Sequence, residues 1–146
     1  MLSRKGFVLA LTTLATTIGA AGVSLALVDD DSKTHKVMEQ VQTKNAFISK
    51  NVRTAAVFKK NQKEVVEAAK ALAQLGKDVR EETVKDKKNN ENKKLWTDLI
   101  DSYVKESEKF AETAGKEGAD QAEVKKAFGA VGATCKACHD DFRPDE

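Results

Sequence analysis

The chain of 146 residues has almost no proline and shows no pattern of β-strands. Its one proline, Pro144, lies near the C-terminus. No segment alternates apolar and polar residues over the length of a strand, so the sequence predicts no sheet. Ala, Lys, Glu, Gln and Leu, which favour helix, are abundant instead. The expected fold class is therefore all-α.

Charge of one sign is not in excess. The chain has 25 basic and 23 acidic residues, and without Arg4 and Lys5 of the N-terminal segment the two numbers are equal. A nucleic-acid-binding domain needs a basic excess on one face, so nucleic acid is not an expected partner. No paired-carboxylate site, phosphate-binding loop or nucleophilic triad can be recognised. We therefore expect a protein that is not an enzyme.

Cysteine is scarce too, and its two occurrences lie close together. Cys135-Lys136-Ala137-Cys138-His139 reads C-x-x-C-H, the motif to which c-type haem is attached. Two thiols three residues apart lie on one turn of helix and can add across the two vinyl groups of a porphyrin. The next residue, an imidazole, can ligate the iron. The sequence thus predicts one covalently bound haem c, held by Cys135 and Cys138, with His139 as an axial ligand.

Other uses of a C-x-x-C pair fit this chain less well. A redox dithiol is expected in a βαβ context, which the sequence lacks. A structural zinc site needs four ligands, and only His35 is available as a further histidine or cysteine. A disulfide across two intervening residues of a helix would be strained.

The N-terminal segment predicts export. Arg4 and Lys5 precede an uncharged apolar stretch over residues 6–28, which ends among small residues as a signal peptide does. The stretch is also long enough to span a bilayer, so an uncleaved inner-membrane anchor is the competing interpretation. Only in that case is a membrane an expected partner. Residues 1–28 are assigned to the leader and 29–146 to one domain, expected in the periplasm.

Helical periodicity occurs in four segments of this domain. The predicted helices begin near Ser32, near residue 61, near residue 93 and at Asp120, and residues 81–94 form a solvated connection with frayed helical turns at its ends. The segment before residue 61 is compatible with both a longer first helix and a packed turn. The first helix has the stripe Met38, Val41, Asn45, Ile48 and Val52. The second helix has the stripe Val65, Ala68, Ala69, Leu72, Leu75 and Val79. The third helix has the inward residues Trp96, Leu99, Ile100, Tyr103, Phe110, Ala111 and Ala114. The last helix has the stripe Val124, Phe128, Val131, Cys135, Cys138 and Phe142. Four amphipathic helices predict an antiparallel four-helix bundle, with the haem on the inward face of the C-terminal helix.

An exported helical chain with a C-terminal C-x-x-C-H resembles the class II cytochromes c, the cytochrome c′ family. Residues 135–143, CKACHDDFR, are similar to that family's haem helix, in which a basic residue typically stands four positions after the axial histidine. The resemblance implies that Cys135 and Cys138 carry the thioether bonds and that His139 is the proximal ligand. It also implies that Arg143 lies near the proximal side of the haem and tunes it electrostatically.

The resemblance leaves the other side of the iron open. In cytochromes c′ proper an apolar residue of the first helix covers a five-coordinate iron, which binds NO or CO. In low-spin members a methionine ligates the iron of an electron carrier. Lys36-Val37-Met38-Glu39 resembles the low-spin pattern, so Met38 is the predicted second ligand and a one-electron carrier the predicted function. An ordinary core position also suits Met38, and His35 is the competing ligand.

Partners follow from these interpretations. Redox proteins of unknown identity are the expected electron donor and acceptor, or NO or CO is bound in the five-coordinate alternative. A lysine cluster, Lys59-Lys60 with Lys85 to Lys94, is compatible with docking, although charge runs usually face solvent. Relatives often pair through their first two helices, so a homodimer is compatible with the resemblance.

In a third interpretation the haem only stabilises a structural or membrane-tethered helical protein. Trp96 and Tyr103 suit core positions and haem contacts equally.

Overall fold

The computed structural model describes residues 32–143, so the predicted leader and Pro144 lie outside the described residues. Its regular structure consists of five helices: α1 Lys33–Asn51, α2 Ala55–Lys60, α3 Gln62–Val79, α4 Lys93–Gly115 and α5 Gln121–Phe142. The four long helices confirm the predicted all-α bundle. Within residues 32–143 the β-type pairing is limited to one isolated bridge between Lys85 and Glu91. No helix in this range is long and apolar enough to cross a bilayer.

The four long helices pack in the order α1, α3, α4, α5. The largest interface joins α3 to α4, while α1 lies mainly against α3 and α5 mainly against α4. As a result, α1 and α5 contact each other less than either contacts its neighbour. The interior is filled by apolar side chains from all four helices, among them Ile48, Val65, Leu72, Val79, Trp96, Phe110, Val124 and Val131.

The segment between α1 and α3, which the sequence left open, is a turn followed by the short helix α2. α1 ends at Asn51, and the Thr54 side chain then caps α2 by accepting from the backbone N–H of Val57. Phe58 is buried and attaches α2 to the core. Asn61 donates through Nδ2 to Asn51 Oδ1 at 2.9 Å, and this bond joins the end of α1 to the start of α3.

The buried face of α1 contains three of the five predicted residues, together with Val37. Three residues of α1 and the residue that caps its end are buried in the core: Val37, Val41, Ile48 and Val52. Met38 and Asn45, predicted in the same stripe, are half-buried. Successive helical residues are about 100° apart, so Met38 flanks the core stripe that Val37 enters. Met38 still packs against the core from this flank.

α3 presents the buried stripe that its periodicity predicted: Val65, Ala68, Ala69, Leu72, Leu75 and Val79. Gly76 adjoins this stripe and lets α4 approach closely. A Cβ atom at Gly76 would lie 2.7 Å from Val104 Cγ2 and 2.8 Å from Tyr103 Cδ1. The predicted inward residues of α4 are buried as well, apart from Leu99, which is half-buried.

α5 begins at the predicted cap. Asp120 Oδ1 accepts from the backbone N–H groups of Ala122 and Glu123 at 2.9 and 3.0 Å, which satisfies two donors that lack partners within the helix. α4 ends at Gly115, and Gly118 has φ +68°, a conformation that glycine adopts without strain. The haem motif therefore lies on the last turns of a helix whose start is fixed.

Candidate haem-attachment site

The C-x-x-C-H motif lies on the last two turns of α5. Cys135 and Cys138 are free thiols, half-buried on the side that packs against the core. His139 follows directly and is exposed. It is four residues after Cys135, so these two side chains share one face of the helix. The structure thus presents both thiols and the imidazole on a single turn, as the chemistry of attachment requires.

Burial keeps both thiols protonated at neutral pH. It raises the pKa of Cys135, and it raises the pKa of Cys138 to about 11, where the nearby Cys135 and Asp141 act in the same direction. Partial loss of hydration lowers the pKa of His139, and the positive charge of Arg143 lowers it further. Neutral imidazole is the form that ligates a metal, so this shift favours ligation.

Arg143 is the C-cap of α5. Its backbone N–H donates to the His139 carbonyl at 3.2 Å, so the arginine follows directly on the turn that carries the imidazole. Its guanidinium is close enough for its charge to act on the pKa of His139. Its position near the proximal side of a haem, which the resemblance to the cytochrome c′ haem helix implies, stays a prediction.

A groove of about 490 Å³ separates α5 from α1 beside this motif. It is lined by Gln42, Asn45, Ala46 and Ser49 from α1 and by Phe128, Gly129, Gly132 and Cys135 from α5. A Cβ atom at Gly129 or Gly132 would meet no other atom within 4 Å, so both glycines leave the helix backbone open to the groove. Asn45 Oδ1 is buried there and has no hydrogen-bond partner among the residues that the structure describes. An open wall beside Cys135, formed in part by two glycines and the ring of Phe128, leaves room for a flat haem group.

The groove lies between two stripes of residues that continue into the predicted ligands. The α1 stripe is Met38, Gln42, Asn45 and Ser49. The α5 stripe is Phe128, Gly132, Cys135 and His139. Gln121 at the start of α5 donates through Nε2 to the Val52 carbonyl at the end of α1 at 2.6 Å, so the two helices are antiparallel. At the other end of the groove, each stripe continues by one turn to Met38 on α1 and to His139 on α5.

The competing ligand His35 is near the start of α1, three residues before Met38. Its Nε2 atom is 3.9 Å from Glu39 Oε1, and 40% of its side chain is exposed. Its backbone N–H donates to the Ser32 side chain, which confirms Ser32 as the predicted cap. The imidazole therefore has a carboxylate neighbour on its own helix, whereas Met38 packs against the core.

The two aromatic residues that the sequence left undecided have different surroundings. Trp96 donates through Nε1 to the Val79 carbonyl at 3.0 Å and meets the ring of Phe142 edge-on at 5.2 Å, so it is a core residue that holds the end of α5. Tyr103 is also buried, and burial raises its pKa, with a further contribution from Cys135. Tyr103 therefore lies near the first thiol of the motif.

Sequence reasoning missed most of the groove wall. Gln42, Ala46 and Ser49 are exposed and have no apolar periodicity that would mark them as part of a site. A signal was present on α5, because Gly129 and Gly132 are three residues apart and precede the first cysteine on one face. Two glycines in one face of a helix leave that face flat, which is a cue for close approach by another group.

Comparisons with known proteins identify the family of the chain. The family model described as cytochrome c′ matches residues 31–143. A cytochrome c′ of Rhodocyclus tenuis is 52% identical over 42 residues, which are 29% of this chain and 30% of that protein. A cytochrome c′ of Cereibacter sphaeroides is 44% identical over 52 residues, 34% of this chain and 35% of that protein. These similarities cover only a minor part of either relative, and no solved structure matches the chain.

The match over most of its length shows that the chain belongs to the cytochrome c′ family. Members of this family carry haem c bound covalently, so the protein is a c-type haem protein. The predicted family and cofactor are thereby confirmed.

Proposed function

We propose that the protein is a periplasmic one-electron carrier, with its haem attached at Cys135 and Cys138 and ligated by His139 and Met38. The observation that carries this proposal is the pair of facing stripes along the groove, one of which continues to Met38 and the other to His139. When bound, the haem iron supplies the one-electron couple. The helices supply attachment, ligands and a fixed surrounding.

Each proposed residue has a separate task. Cys135 and Cys138 hold the porphyrin edge to α5, and their position against the core limits its movement. His139 binds iron through a neutral imidazole, which its lowered pKa favours. Met38 offers a soft, adaptable thioether from α1, and a Met/His pair raises the reduction potential. Arg143 adds positive charge beside His139, which favours the reduced iron.

Met38 is a better candidate than His35 on structural grounds. Met38 is half-buried against the core and continues the stripe that lines the groove. His35 stands nearer the start of α1, where its ring faces Glu39. This contact is exposed and too long for a hydrogen bond, so the preference for Met38 rests on its packing against the core.

A second candidate function is a five-coordinate haem protein that binds NO or CO. Both curated relatives are named cytochrome c′, and the five-coordinate state is what the resemblance implies for cytochromes c′ proper. In this case Met38 would cover the iron without binding it. The two candidates differ in one bond, so one set of spectra separates them.

The remaining expectations belong to the same proposal. The apolar segment over residues 6–28 supports export, with membrane attachment if that segment is retained. Its redox partners are proteins, and its role is transfer of electrons without catalysis of a reaction. A homodimer would form through α1 and α3, the first two predicted helices, and the exposed apolar side chain of Phe47 on α1 is compatible with such an interface.

The test is the optical spectrum of the purified holoprotein with and without CO, for the native chain and for Met38→Ala. If Met38 ligates the iron, the native ferrous protein shows narrow, split low-spin bands and takes up CO slowly. Met38→Ala then becomes high-spin and takes up CO at least about tenfold faster, because an open site replaces a ligand that must first dissociate. His35→Ala is the matched control and keeps the native spectrum. A native protein that is already high-spin and binds CO like Met38→Ala would establish the gas-binding function instead.

A further inference from the structure

The helices that carry the two proposed ligands touch each other little, so other parts of the chain must set their separation. At one end of the groove, Gln121 Nε2 donates to the Val52 carbonyl and joins α5 to α1 directly. Met38 and His139 lie towards the other end. There the loop 80–92, which connects α3 to α4, contacts both helices.

The loop starts with the predicted helical turn, in which Arg80 N–H donates to the Lys77 carbonyl and Glu82 N–H to the Val79 carbonyl. Its centre is a folded turn that the prediction did not include. Asp86 Oδ1 accepts from the backbone N–H groups of Lys88 and Asn90, both at 2.9 Å. The Asp86 carbonyl accepts from Asn89 N–H at 2.8 Å, and Asn89 has φ 62°, which asparagine tolerates better than most residues. The bonds to the carboxylate lower the pKa of Asp86, with the Asn90 backbone as the largest cause. The carboxylate thus adds to the backbone bonds of the turn, among them the one from Asp86 N–H to the Asn90 carbonyl at 2.9 Å.

The folded loop binds the end of the haem helix. Lys87 N–H donates to the Asp141 carbonyl at 2.8 Å. Asp141 is two residues after His139, and carbonyls of the last helical turn have no partner within their own helix. The loop thus provides the partner from outside. Lys87 stands directly after Asp86, so the direction of its N–H depends on the turn that Asp86 holds.

The same loop is attached to the rest of the bundle. Lys33 Nζ on α1 is 2.7 Å from Glu82 Oε1 in the loop. Val84 is half-buried against the core. At the start of the loop, Arg80 pairs with Asp101 of α4 through two bonds of 2.6 and 2.8 Å. The exposed Lys33–Glu82 pair contributes little by itself, and Val84 adds apolar contact between the loop and the core.

We infer that the loop 80–92 positions the haem helix relative to α1, and that Asp86 is the positioning residue that keeps this loop folded. The inference rests on the proposed function, because it concerns the side chains that ligate the iron. The hydrogen bonds of Asp86 are made within the loop and do not involve the thiols or the imidazole. It acts through the Lys87 N–H and the Asp141 carbonyl on the turn that carries His139.

Asp86→Ala removes the side-chain acceptor of the Lys88 and Asn90 amides and loosens the turn that directs the Lys87 N–H. The last turn of α5 then loses its bond to the loop, and the distance between Met38 and His139 fluctuates more. Opening of the methionine–iron bond becomes more frequent, so CO uptake by the ferrous holoprotein rises about five-fold, the factor that one hydrogen bond supplies. Asp86→Asn keeps a side-chain acceptor in the turn and retains the native rate. Asp98→Ala, which removes an exposed carboxylate of α4 paired with Lys94, is the matched control and also retains it.

A second measurement separates this inference from the assignment of Met38. In the Met38→Ala background the iron has no methionine ligand whichever function is correct. The iron–histidine stretching band of the ferrous protein, measured by resonance Raman spectroscopy, then reports the His139 side alone. Adding Asp86→Ala shifts or broadens this band if the loop positions His139, and adding Asp98→Ala leaves it in place.

The outcomes are distinct. A native protein that binds CO as fast as Met38→Ala contradicts the electron-carrier proposal, and the Raman band still decides the role of Asp86. An unchanged band on adding Asp86→Ala to Met38→Ala overturns the inference. So does a band that Asp86→Ala and Asp98→Ala change equally, because the effect would then come from any lost surface carboxylate.

Discussion

Gly76 has no side chain, and this allows α3 and α4 to approach closely. Gly76 faces Val104 Cγ2 and the ring of Tyr103, and a Cβ atom there would lie under 3.0 Å from both. Neither neighbour is the end of a long flexible chain, so the helices themselves would have to move apart. Tyr103 is also near Cys135, which connects this contact to the haem helix.

Gly76→Ala is expected to lower the free energy of unfolding by about 1–2 kcal/mol. Overpacking costs about 1–3 kcal/mol, and the better helix propensity of alanine offsets only part of it. The measurement is urea unfolding of the holoprotein, followed by far-UV circular dichroism.

Gly115→Ala is the matched control for Gly76→Ala. Its added Cβ atom would have Val66 Cγ2 as its nearest neighbour at 3.8 Å, an ordinary contact. The control should leave stability unchanged or raise it by up to about 1 kcal/mol. Equal destabilisation by both changes would contradict the close approach of α3 and α4 at Gly76.

At the scale of elements, the haem helix depends on its first residues as well as its motif. Asp120 satisfies the N–H groups of Ala122 and Glu123, and Gln121 joins the same turn to α1. The last turn is held by Phe142 against Trp96 and by the loop through Asp141. The segment with the thiols is thus fixed at both of its ends.

Asp120→Ala is expected to destabilise the holoprotein by about 1 kcal/mol, because two N–H groups at the start of α5 lose their acceptor. Thermal unfolding of the holoprotein measures it. Asp120→Asn retains a capping side chain and should recover most of the loss. A decrease in stability that is equal for both substitutions would show that the charge of Asp120, rather than its hydrogen bonds, is what matters.

The long helices could be predicted from the sequence because each carries enough apolar residues to define a face. Val65 to Val79 on α3 is the clearest case, since every predicted residue of that stripe is buried. The short helix α2 has no room for such a repeat, and its boundaries depend on Thr54 and on Asn51 pairing with Asn61. The turn around Asp86 depends on backbone bonds, which charge and asparagine content do not reveal.

From the sequence, the site could be predicted only for residues that are neighbours along the chain. The thiols and imidazole adjoin in sequence, so a motif identifies them. The facing wall comes from α1, and its polar residues resemble any exposed helix face until α5 is placed opposite. The predicted stripe of α1 missed Val37, which is buried, while Met38 beside it is half-buried, because adjacent residues of a helix point about 100° apart. The ligation of Met38 stays a prediction.

At the scale of the whole molecule, the bundle is closed on three sides and open on the fourth. Interfaces join α1 to α3, α3 to α4 and α4 to α5, and the groove of about 490 Å³ lies between α5 and α1. A bound haem would cover apolar surface there, including Phe128. At about 25 cal/mol per Å² of apolar surface removed from water, even part of a porphyrin adds several kcal/mol to folding.

Haem-free protein is therefore expected to be less stable than the holoprotein by several kcal/mol. It can be made as the Cys135→Ala, Cys138→Ala double variant without haem. Thermal unfolding by far-UV circular dichroism should show a markedly lower midpoint and a broader transition. Equal midpoints for the two forms would mean that haem does not fill the groove, and they would contradict the site as described.

The central α3–α4 pair supports α1 and α5 separately, and this separation has an evolutionary consequence. Substitutions on the α1 wall of the groove can change what faces the open side of the iron without altering how the porphyrin is anchored on α5. Selection can thus adjust one coordination position while the covalent attachment stays intact. Changes in α1 alone can therefore produce proteins of the same fold that bind gases slowly or rapidly.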